Sequence, residues 1–373
     1  MTSPEIISFG GGSPANELLP ADIVRSITNE YFRMDKRGVE ALQYGKPQGL
    51  PDLKQAIADK LMAPMGINAD TDQILVTSGG MEAIYLVCQL YLEPGDVILV
   101  ESPTFVHAVE CFDMMQAKCI AVEMDKDGMI MEDLEAKVKK YKPKMIYTIP
   151  TFQNPSGRTL TLERRKKLAE IGSEYDVVIL EDDPYRNLRY SGESLGAVKE
   201  FDQTGNTIFI NSFSKIFSPG ARLGYAYASP EIIANMMHIK TATNSFVSTL
   251  AQVVGAEYLK GGYYDEHLPK IISLYRQRRD VMLDCIDRFF PEGTRHTYPD
   301  GGLYTWVELP EHINVTKLLP EAAKQNLAYI SGEGFFTEGG GKGSNCMRMC
   351  FSNVSEEKIN IGVERLGNLL KNY

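Results

Sequence analysis

Residues 177–185 read Val-Val-Ile-Leu-Glu-Asp-Asp-Pro-Tyr. A short apolar run that ends in polar and turn-forming residues predicts a buried strand. Similar runs alternate with helical patterns around it, from about residue 70 to about residue 260. Further strands are predicted over residues 73–77, 96–101, 119–123, 145–149, 207–211 and 223–227. Strands that alternate with helices predict an α/β fold, with a mostly parallel central sheet flanked by helices.

The last third of the chain follows a different pattern. A helical pattern over 268–288 leads to a predicted strand over 301–309, a helix over 315–325 and a final strand over 347–351. A glycine-rich stretch over 338–343 precedes that last strand, and it is either a mobile lid or a surface loop. Together these elements predict a smaller α+β domain.

The overall charge and the cysteines exclude several classes of protein. The 373 residues carry 39 Lys and Arg against 49 Asp and Glu, a net charge of −10. Nucleic-acid-binding proteins usually carry a basic surface, so no nucleic-acid partner is expected. No apolar run is as long as a transmembrane helix, and the first residues show no signal-peptide pattern, so no membrane partner is expected. The six cysteines and five histidines show no metal-ligand spacing, so no metal is expected. The scattered cysteines are typical of free thiols in a reducing cytosol, which predicts a cytoplasmic protein.

Polar motifs follow several of the predicted strands. Ser78-Gly79-Gly80 separates a strand from a helix, where backbone N–H groups can bind an anion, although a plain turn fits the pattern equally well. Asn154-Pro-Ser-Gly157 is by itself a turn that leaves Asn154 available as a hydrogen-bond donor. Asp182 can pair with a cationic ring nitrogen and Tyr185 can donate to an oxygen, unless this acidic turn is merely solvated. Ligands of such sheets bind beyond the carboxyl ends of the strands.

A lysine follows the predicted strand over 207–211, in the stretch Ser212-Phe-Ser-Lys215. Most lysines are exposed and solvated. A lysine that is partly desolvated, however, becomes a nucleophilic amine that can form a Schiff base with a carbonyl. Arg222, a candidate phosphate ligand, follows seven residues later.

In this order and at these spacings, the motifs resemble the fold-type I aminotransferases of class I/II, which use pyridoxal 5′-phosphate. The resemblance covers nearly the whole chain, from Phe9-Gly-Gly-Gly-Ser-Pro14 to Arg348-Met-Cys-Phe-Ser352. The chain is most similar to the branch of 2-aminoadipate and kynurenine aminotransferases, which also holds the aminotransferase-like half of MocR-type regulators. Segments that match this branch are Leu42-Gln-Tyr44, Gly49-Leu-Pro-Asp-Leu53 and Glu101-Ser-Pro-Thr-Phe105.

The resemblance implies a role for each motif residue. Lys215 would hold the cofactor as a Schiff base and act as general base and acid, with Asp182 and Tyr185 as the other catalytic residues. Asp182 would keep the ring nitrogen protonated, which makes the ring an electron sink. Asn154 and Tyr185 would hydrogen-bond the phenolic oxygen of the ring, and Phe105 would stack on its face. The expected cofactor-binding residues around the phosphate are Ser78, Gly79, Gly80, Ser212, Ser214 and Arg222.

The resemblance also implies a substrate site and an oligomeric state. Arg348 would bind the substrate α-carboxylate through a bidentate pair, with Gly12 and Asn154 as further substrate-binding residues. Tyr44 would reach the phosphate from the neighbouring subunit, which implies a homodimer with shared active sites. From the residues alone, Tyr44 and Phe105 also fit as core aromatics.

The expected function is that of an aminotransferase, which moves the α-amino group of an L-amino acid to a 2-oxo acid by ping-pong chemistry. One alternative is a β-lyase or decarboxylase on the same scaffold. Another is a non-catalytic regulator, but a pattern that begins near Ile6 and a net charge of −10 argue against a DNA-binding module. The implied domains are a large cofactor domain over 46–275 and a discontinuous small domain over 1–45 and 276–373.

Overall fold

The elements of the fold come from a computed structural model that describes residues 6–33 and 35–373. The helices, in chain order, are α1 (Ala21–Arg33), α2 (Asp35–Glu40), α3 (Pro51–Ile57), α4 (Gly80–Tyr91), α5 (Val106–Met114), α6 (Met131–Tyr141), α7 (Leu162–Glu174), α8 (Val198–Phe201), α9 (Pro230–Thr243), α10 (Thr249–Lys260), α11 (Tyr263–Phe289), α12 (Val315–Lys324) and α13 (Glu356–Lys371). The strands are β1 (Ile7–Ser8), β2 (Ile74–Thr77), β3 (Val97–Ser102), β4 (Lys118–Asp125), β5 (Gly128–Met129), β6 (Met145–Thr148), β7 (Val178–Asp182), β8 (Thr207–Ser212), β9 (Gly224–Tyr227), β10 (Arg295–His296), β11 (Tyr304–Glu308), β12 (Leu327–Ala328), β13 (Ile330–Ser331) and β14 (Cys346–Cys350).

A central eight-stranded sheet has the order β2-β9-β8-β7-β6-β3-β4-β5. The strands from β8 to β4 in that order are parallel, whereas β2, β9 and β5 pair antiparallel with their neighbours. Every residue of β6, β8 and β9 is buried, as expected where both faces of a sheet are covered. These observations confirm the predicted α/β fold with a mostly parallel central sheet.

The parallel strands bring the polar motifs to one edge of this sheet. Strands β3, β6, β7 and β8 run in the same direction, so their carboxyl ends lie side by side. Asp182, the last residue of β7, lies opposite Ile210 in β8, which leads to the turn that carries Lys215. Residues that are far apart in the sequence are therefore neighbours at this edge.

A second, antiparallel sheet has the order β10-β11-β14-β13 and covers part of that edge. Arg348 lies in the middle of β14, opposite Trp306 in β11 and Ile330 in β13. The N-terminal segment joins the same region, because β1 pairs with β12 and the Cys350 N–H donates a 2.8 Å hydrogen bond to the Phe9 carbonyl. This attachment places the glycines after Phe9 beside Arg348.

Helix α11 runs without interruption through residues 275 and 276. The predicted domain boundary therefore lies inside a helix rather than in a linker, and the division into two domains stays a prediction. Residues 1–5 and 34 of the predicted small domain lie outside the described residues. Over the described parts of the chain, none of the helices combines the length and the apolar character needed to cross a bilayer.

Candidate active site

A cleft of about 300 Å³ lies between the carboxyl-terminal edge of the central sheet and β14. Its volume is in the range typical of small-molecule sites. Most of the predicted site residues line it, namely Gly12, Gly80, Phe105, Asn154, Asp182, Tyr185, Ser212, Ser214, Lys215, Arg222 and Arg348. The structure thus brings together residues that the sequence distributes over more than three hundred positions.

The Lys215 amine lies inside the cleft, where its Nζ donates a 2.8 Å hydrogen bond to the Gly12 carbonyl. Burial, together with the nearby positive charges of Arg348 and Arg222, lowers the pKa of Lys215 to about 8. A substantial fraction of such an amine is neutral near physiological pH, so it can act as a nucleophile or as a base.

The Asp182 carboxyl forms the floor of the cleft and is almost completely buried. Burial raises its pKa to about 7, and the neighbouring Asp183 acts in the same direction. Tyr147 opposes this shift, because its hydroxyl donates a 2.9 Å hydrogen bond to Oδ2 of Asp182. A cation brought to the free side of this carboxyl would convert it to the carboxylate form.

A chain of polar groups crosses the middle of the cleft. The Asn154 amide donates to the Tyr185 hydroxyl at 3.4 Å, and that hydroxyl donates to the Tyr304 hydroxyl at 3.5 Å. The Tyr304 hydroxyl also approaches Gly12 so closely that a Cβ at this position would overlap it, at 2.0 Å. Position 12 therefore accepts only glycine while Tyr304 occupies this place.

Arg348 forms the far wall of the cleft and is buried. Its guanidinium donates to the Asn154 side-chain oxygen at 2.9 Å and to the Gly10 carbonyl at 2.6 Å, while its buried Nε has no hydrogen-bond partner. The guanidinium also stacks on the Tyr304 ring, 4.4 Å from its centroid. A buried arginine without a carboxylate partner is suited to bind an anionic ligand.

The opposite end of the cleft is suited to bind a phosphate. Gly80 begins α4, so backbone N–H groups and the positive end of the helix dipole point to this end. Gly79 has a φ of +81°, and a Cβ there would lie 2.6 Å from Nη2 of Arg222. On the other side, the Ser212 hydroxyl donates to the Ser214 hydroxyl at 2.9 Å.

Comparison with known proteins identifies the family. Residues 5–366 match the family model of "Aminotransferase class I and II". The chain belongs to this family. It is 39% identical to aromatic-amino-acid aminotransferase 1 of Thermococcus litoralis, over 98% of this chain and 88% of that protein. It is 33% identical to 2-aminoadipate transaminase of Thermus thermophilus, over 99% of this chain and 91% of that protein.

The solved structures agree with this assignment. The crystal structure of Pyrococcus horikoshii kynurenine aminotransferase in complex with PMP superposes with a TM-score of 0.94. The two chains are 39% identical, and the superposition covers 99% of this chain and 92% of the other. The predicted family, enzyme class and cofactor are confirmed: the protein is a pyridoxal-phosphate-dependent aminotransferase that transfers an amino group between an amino acid and a 2-oxo acid.

Three of the predicted cofactor-binding residues lie outside the cleft of this aminotransferase chain. Tyr44 is 84% exposed, and its ring packs edge-on against Phe246. Ser78 lines a neighbouring cavity instead, and both its backbone N–H and its carbonyl bind other side chains. Gly79 does not line the cleft, and the open side of its Cα faces the Arg222 guanidinium. The roles predicted for these residues stay predictions.

The structure adds residues that the sequence motifs did not reveal. Further side chains that line the cleft are Met81, Ile84, His107, Ile149, Pro184 and Tyr304. Met81 and Ile84 follow the predicted phosphate-binding turn on α4, so helical periodicity could have placed them there. Tyr304 lies in the strand predicted over 301–309, but no local pattern shows that its hydroxyl reaches Gly12.

The residues that are present fit pyridoxal phosphate. The unpartnered Nε of Arg348 offers a donor for a substrate carboxylate, and at the other end the absence of a Cβ at Gly79 leaves the space that the Arg222 guanidinium, a candidate phosphate ligand, occupies. Between these two ends lie an amine of lowered pKa and a buried carboxyl, the groups that an aldehyde and a ring nitrogen require.

Proposed function

We propose that this aminotransferase acts on L-amino acids with large apolar or aromatic side chains, and that Lys215, Asp182 and Arg348 carry the reaction. The observation that carries the assignment of these three residues is their arrangement, since the three side chains line one cleft. Bound pyridoxal phosphate supplies an aldehyde that takes up the amino group and a ring that accepts the electrons released at the substrate Cα.

Lys215 holds the cofactor and then moves the proton at the substrate Cα. The lowered pKa of its amine matches this task, because a base works best when its pKa lies near the working pH. Its bond to the Gly12 carbonyl shows that Nζ reaches across the cleft. Asp182 holds the proton on the ring nitrogen, and Asn154 and Tyr185 orient the ring through its phenolic oxygen.

Arg348 binds the substrate α-carboxylate. In the structure, two of its donors are satisfied by the Asn154 side chain and the Gly10 carbonyl, and Nε is free. A carboxylate that enters can accept a bidentate pair from this guanidinium and replace the weaker carbonyl contact. The charge pair fixes the orientation of the Cα–H bond toward Lys215.

The walls of the cleft support an apolar side chain on the substrate. Apolar groups from Phe105, Met81, Ile84 and Ile149 line it. The positively charged side chains that line it are Lys215, Arg222 and Arg348. The proposal assigns each of them to the cofactor or to the α-carboxylate, so none is assigned to the substrate side chain. The similarity to an aromatic-amino-acid aminotransferase and to a kynurenine aminotransferase supports the same class of donor.

A homodimer with shared active sites completes the proposal. Val39, Leu42 and Tyr44 are 69%, 71% and 84% exposed, which is unusual for three apolar side chains within six residues. An apolar cavity of about 560 Å³ opens beside Arg222 and can accept such a segment from a second copy. Tyr44 of that copy would then reach the phosphate. A cytoplasmic location and the absence of a nucleic-acid partner remain predictions.

The test is a donor panel without an acceptor. Holoenzyme mixed with each L-amino acid should release one equivalent of 2-oxo acid per site and then stop until 2-oxoglutarate is added. The best donors should be aromatic, and Lys215→Ala should release no 2-oxo acid. Continuous release of 2-oxo acid and ammonia without an acceptor would identify a lyase instead, and release of CO₂ a decarboxylase.

A further inference from the structure

A buried ion pair lies directly behind the phosphate-binding turn of residues 78–80. Glu82 belongs to the first turn of α4, and its carboxylate accepts a hydrogen bond from the Ser78 N–H. Lys240 of α9 donates to both carboxylate oxygens at 3.1 Å. The Lys240 side chain is 0% exposed and the Glu82 side chain 12% exposed. Neither residue lines the cleft.

The charges and hydrogen bonds of this pair are fully matched. Besides its two bonds to Glu82, the Lys240 ammonium donates to the Asn244 side-chain oxygen at 2.7 Å, which uses all three of its protons. The Asn244 amide in turn donates to Glu82. Burial lowers the pKa of Lys240, and Glu82 opposes that shift. A desolvated pair of this kind often stabilises a fold no more than apolar side chains of similar volume would, so its stability alone does not explain its presence here.

The conformation that this pair fixes is that of Ser78. The Ser78 N–H is held by Glu82, and the Ser78 carbonyl accepts a 2.9 Å hydrogen bond from Nη2 of Arg222. The backbone of one residue thus joins the ion pair to the proposed phosphate ligand. Immediately after it, Gly79 adopts a φ of +81° and leaves the space that the guanidinium occupies.

We infer that Glu82, held by Lys240 and Asn244, is a positioning residue that sets the turn of residues 78–80 and the Arg222 guanidinium for the cofactor phosphate. This inference rests on the phosphate site proposed above. Glu82 takes the Ser78 N–H out of reach of the phosphate, and the free N–H groups of the turn remain with the two glycines. Lys240 neutralises the carboxylate, which alone would repel a phosphate at the same helix end.

The affinity of the cofactor-free full chain for two ligands tests this inference. Pyridoxal phosphate and pyridoxal share the aldehyde and the ring, and only the first carries the phosphate. Glu82→Ala should weaken binding of pyridoxal phosphate by about tenfold to a hundredfold, the effect of losing a buried hydrogen-bond acceptor. It should leave binding of pyridoxal within about twofold, as expected for a change confined to the phosphate end.

Four further variants separate a positioning role of Glu82 from a general loss of protein stability. Glu82→Gln keeps an acceptor for the Ser78 N–H and should restore most of the affinity for pyridoxal phosphate. Asn244→Ala, at an exposed position, should fold normally and lose affinity in the same direction by a smaller factor. Lys240→Met should behave like Glu82→Ala, whereas Lys199→Met is the matched control, because it breaks the well-buried Lys199–Asp202 pair of 2.9 Å away from the cleft.

Four outcomes would overturn the inference. Equal affinity of wild type and of the folded Glu82→Ala and Asn244→Ala variants for pyridoxal phosphate would show that the pair does not act on the turn. An equal loss for both ligands, or the same loss in Lys199→Met, would indicate general destabilisation. If wild type itself binds pyridoxal phosphate no more tightly than pyridoxal, the proposed phosphate site fails, and this inference fails with it.

Discussion

The Tyr147 hydroxyl donates a 2.9 Å hydrogen bond to Oδ2 of Asp182, and both side chains are buried beneath the cleft. Burial raises the pKa of Asp182 to about 7, and the bond from Tyr147 acts in the opposite direction. Tyr147 thereby favours the carboxylate, the form that can pair with a protonated ring nitrogen. The bond joins the neighbouring strands β6 and β7, so the sheet itself sets its geometry.

Removal of this hydrogen bond should move the pH dependence of the reaction. In Tyr147→Phe the pKa of Asp182 rises, because the interaction that lowers it is lost. The carboxyl then takes up its proton at a higher pH, so the acid limb of kcat/KM should shift to higher pH and kcat should fall about tenfold. Tyr175→Phe, which breaks a surface bond to Glu135, is the control. An unchanged acid limb in Tyr147→Phe would contradict the assignment.

Asp182→Asn should stabilise the cofactor-free protein while it abolishes activity. The pKa of Asp182 is about 7 in the folded chain and about 3.9 in an unfolded one, so the folded state binds the proton more tightly. The corresponding stability is fully present below about pH 4 and is lost progressively as the pH rises to the folded pKa of about 7. The variant should therefore gain up to about 4 kcal/mol in the free energy of unfolding at pH 8, and less than half of that at pH 5.

Urea unfolding of the two cofactor-free proteins at pH 5 and pH 8 measures this difference. The same comparison in the presence of pyridoxal phosphate is the internal control, because a bound ring nitrogen would stabilise the carboxylate of the wild type and remove its disadvantage. A gain of the same size at both pH values would show that packing, rather than ionisation, separates the two proteins.

Loss of the Arg348 guanidinium should impair substrate binding more than the later chemistry. In Arg348→Ala the KM for every amino-acid donor should rise about a hundredfold, since the carboxylate loses a desolvated charge pair, while kcat changes less. Arg295→Ala is the control, because Arg295 lies two strands away and pairs with Glu308 on the surface. A fall in kcat at unchanged KM would argue against a role in carboxylate binding.

Mixed dimers test whether Tyr44 acts across the subunit interface. Lys215→Ala chains and Tyr44→Ala chains should each show little activity alone. A heterodimer combines Lys215 of one chain with Tyr44 of the other in one intact site, so mixing under exchange conditions should restore activity. Exchange of Lys215→Ala with itself is the control. Failure to restore activity, with heterodimers demonstrated by mass spectrometry, would remove Tyr44 from the site.

The sequence was sufficient for the elements and residues whose signal is local. Lys215 and Asn154 each follow a strand of the parallel sheet and Asp182 ends one, and the common direction of the strands brings them together. Seven of the eight strands of the central sheet were predicted to within about two residues of their observed bounds, whereas the two-residue strand β5 was not predicted. Motif order then identified the family, because several weak signals at fixed spacings are together specific.

Other parts of the site depend on contacts that no local pattern records. The overlap between position 12 and the Tyr304 hydroxyl requires β1 to pair with β12, a contact across more than three hundred residues. Ser78 was predicted as a cofactor-binding residue, yet Glu82 and Arg222 occupy its backbone groups. The charge of −10 likewise says nothing about the cleft, where Lys215, Arg222 and Arg348 are concentrated.

The most direct measurement is the site of covalent attachment of the cofactor. Holoenzyme reduced with borohydride and digested should yield one labelled peptide, with the mass of the reduced cofactor on Lys215. Incubation with an aromatic L-amino acid before reduction should abolish the label, because the cofactor has then left the lysine. A label on another lysine, or a label on Lys215 that no amino acid removes, would contradict the account.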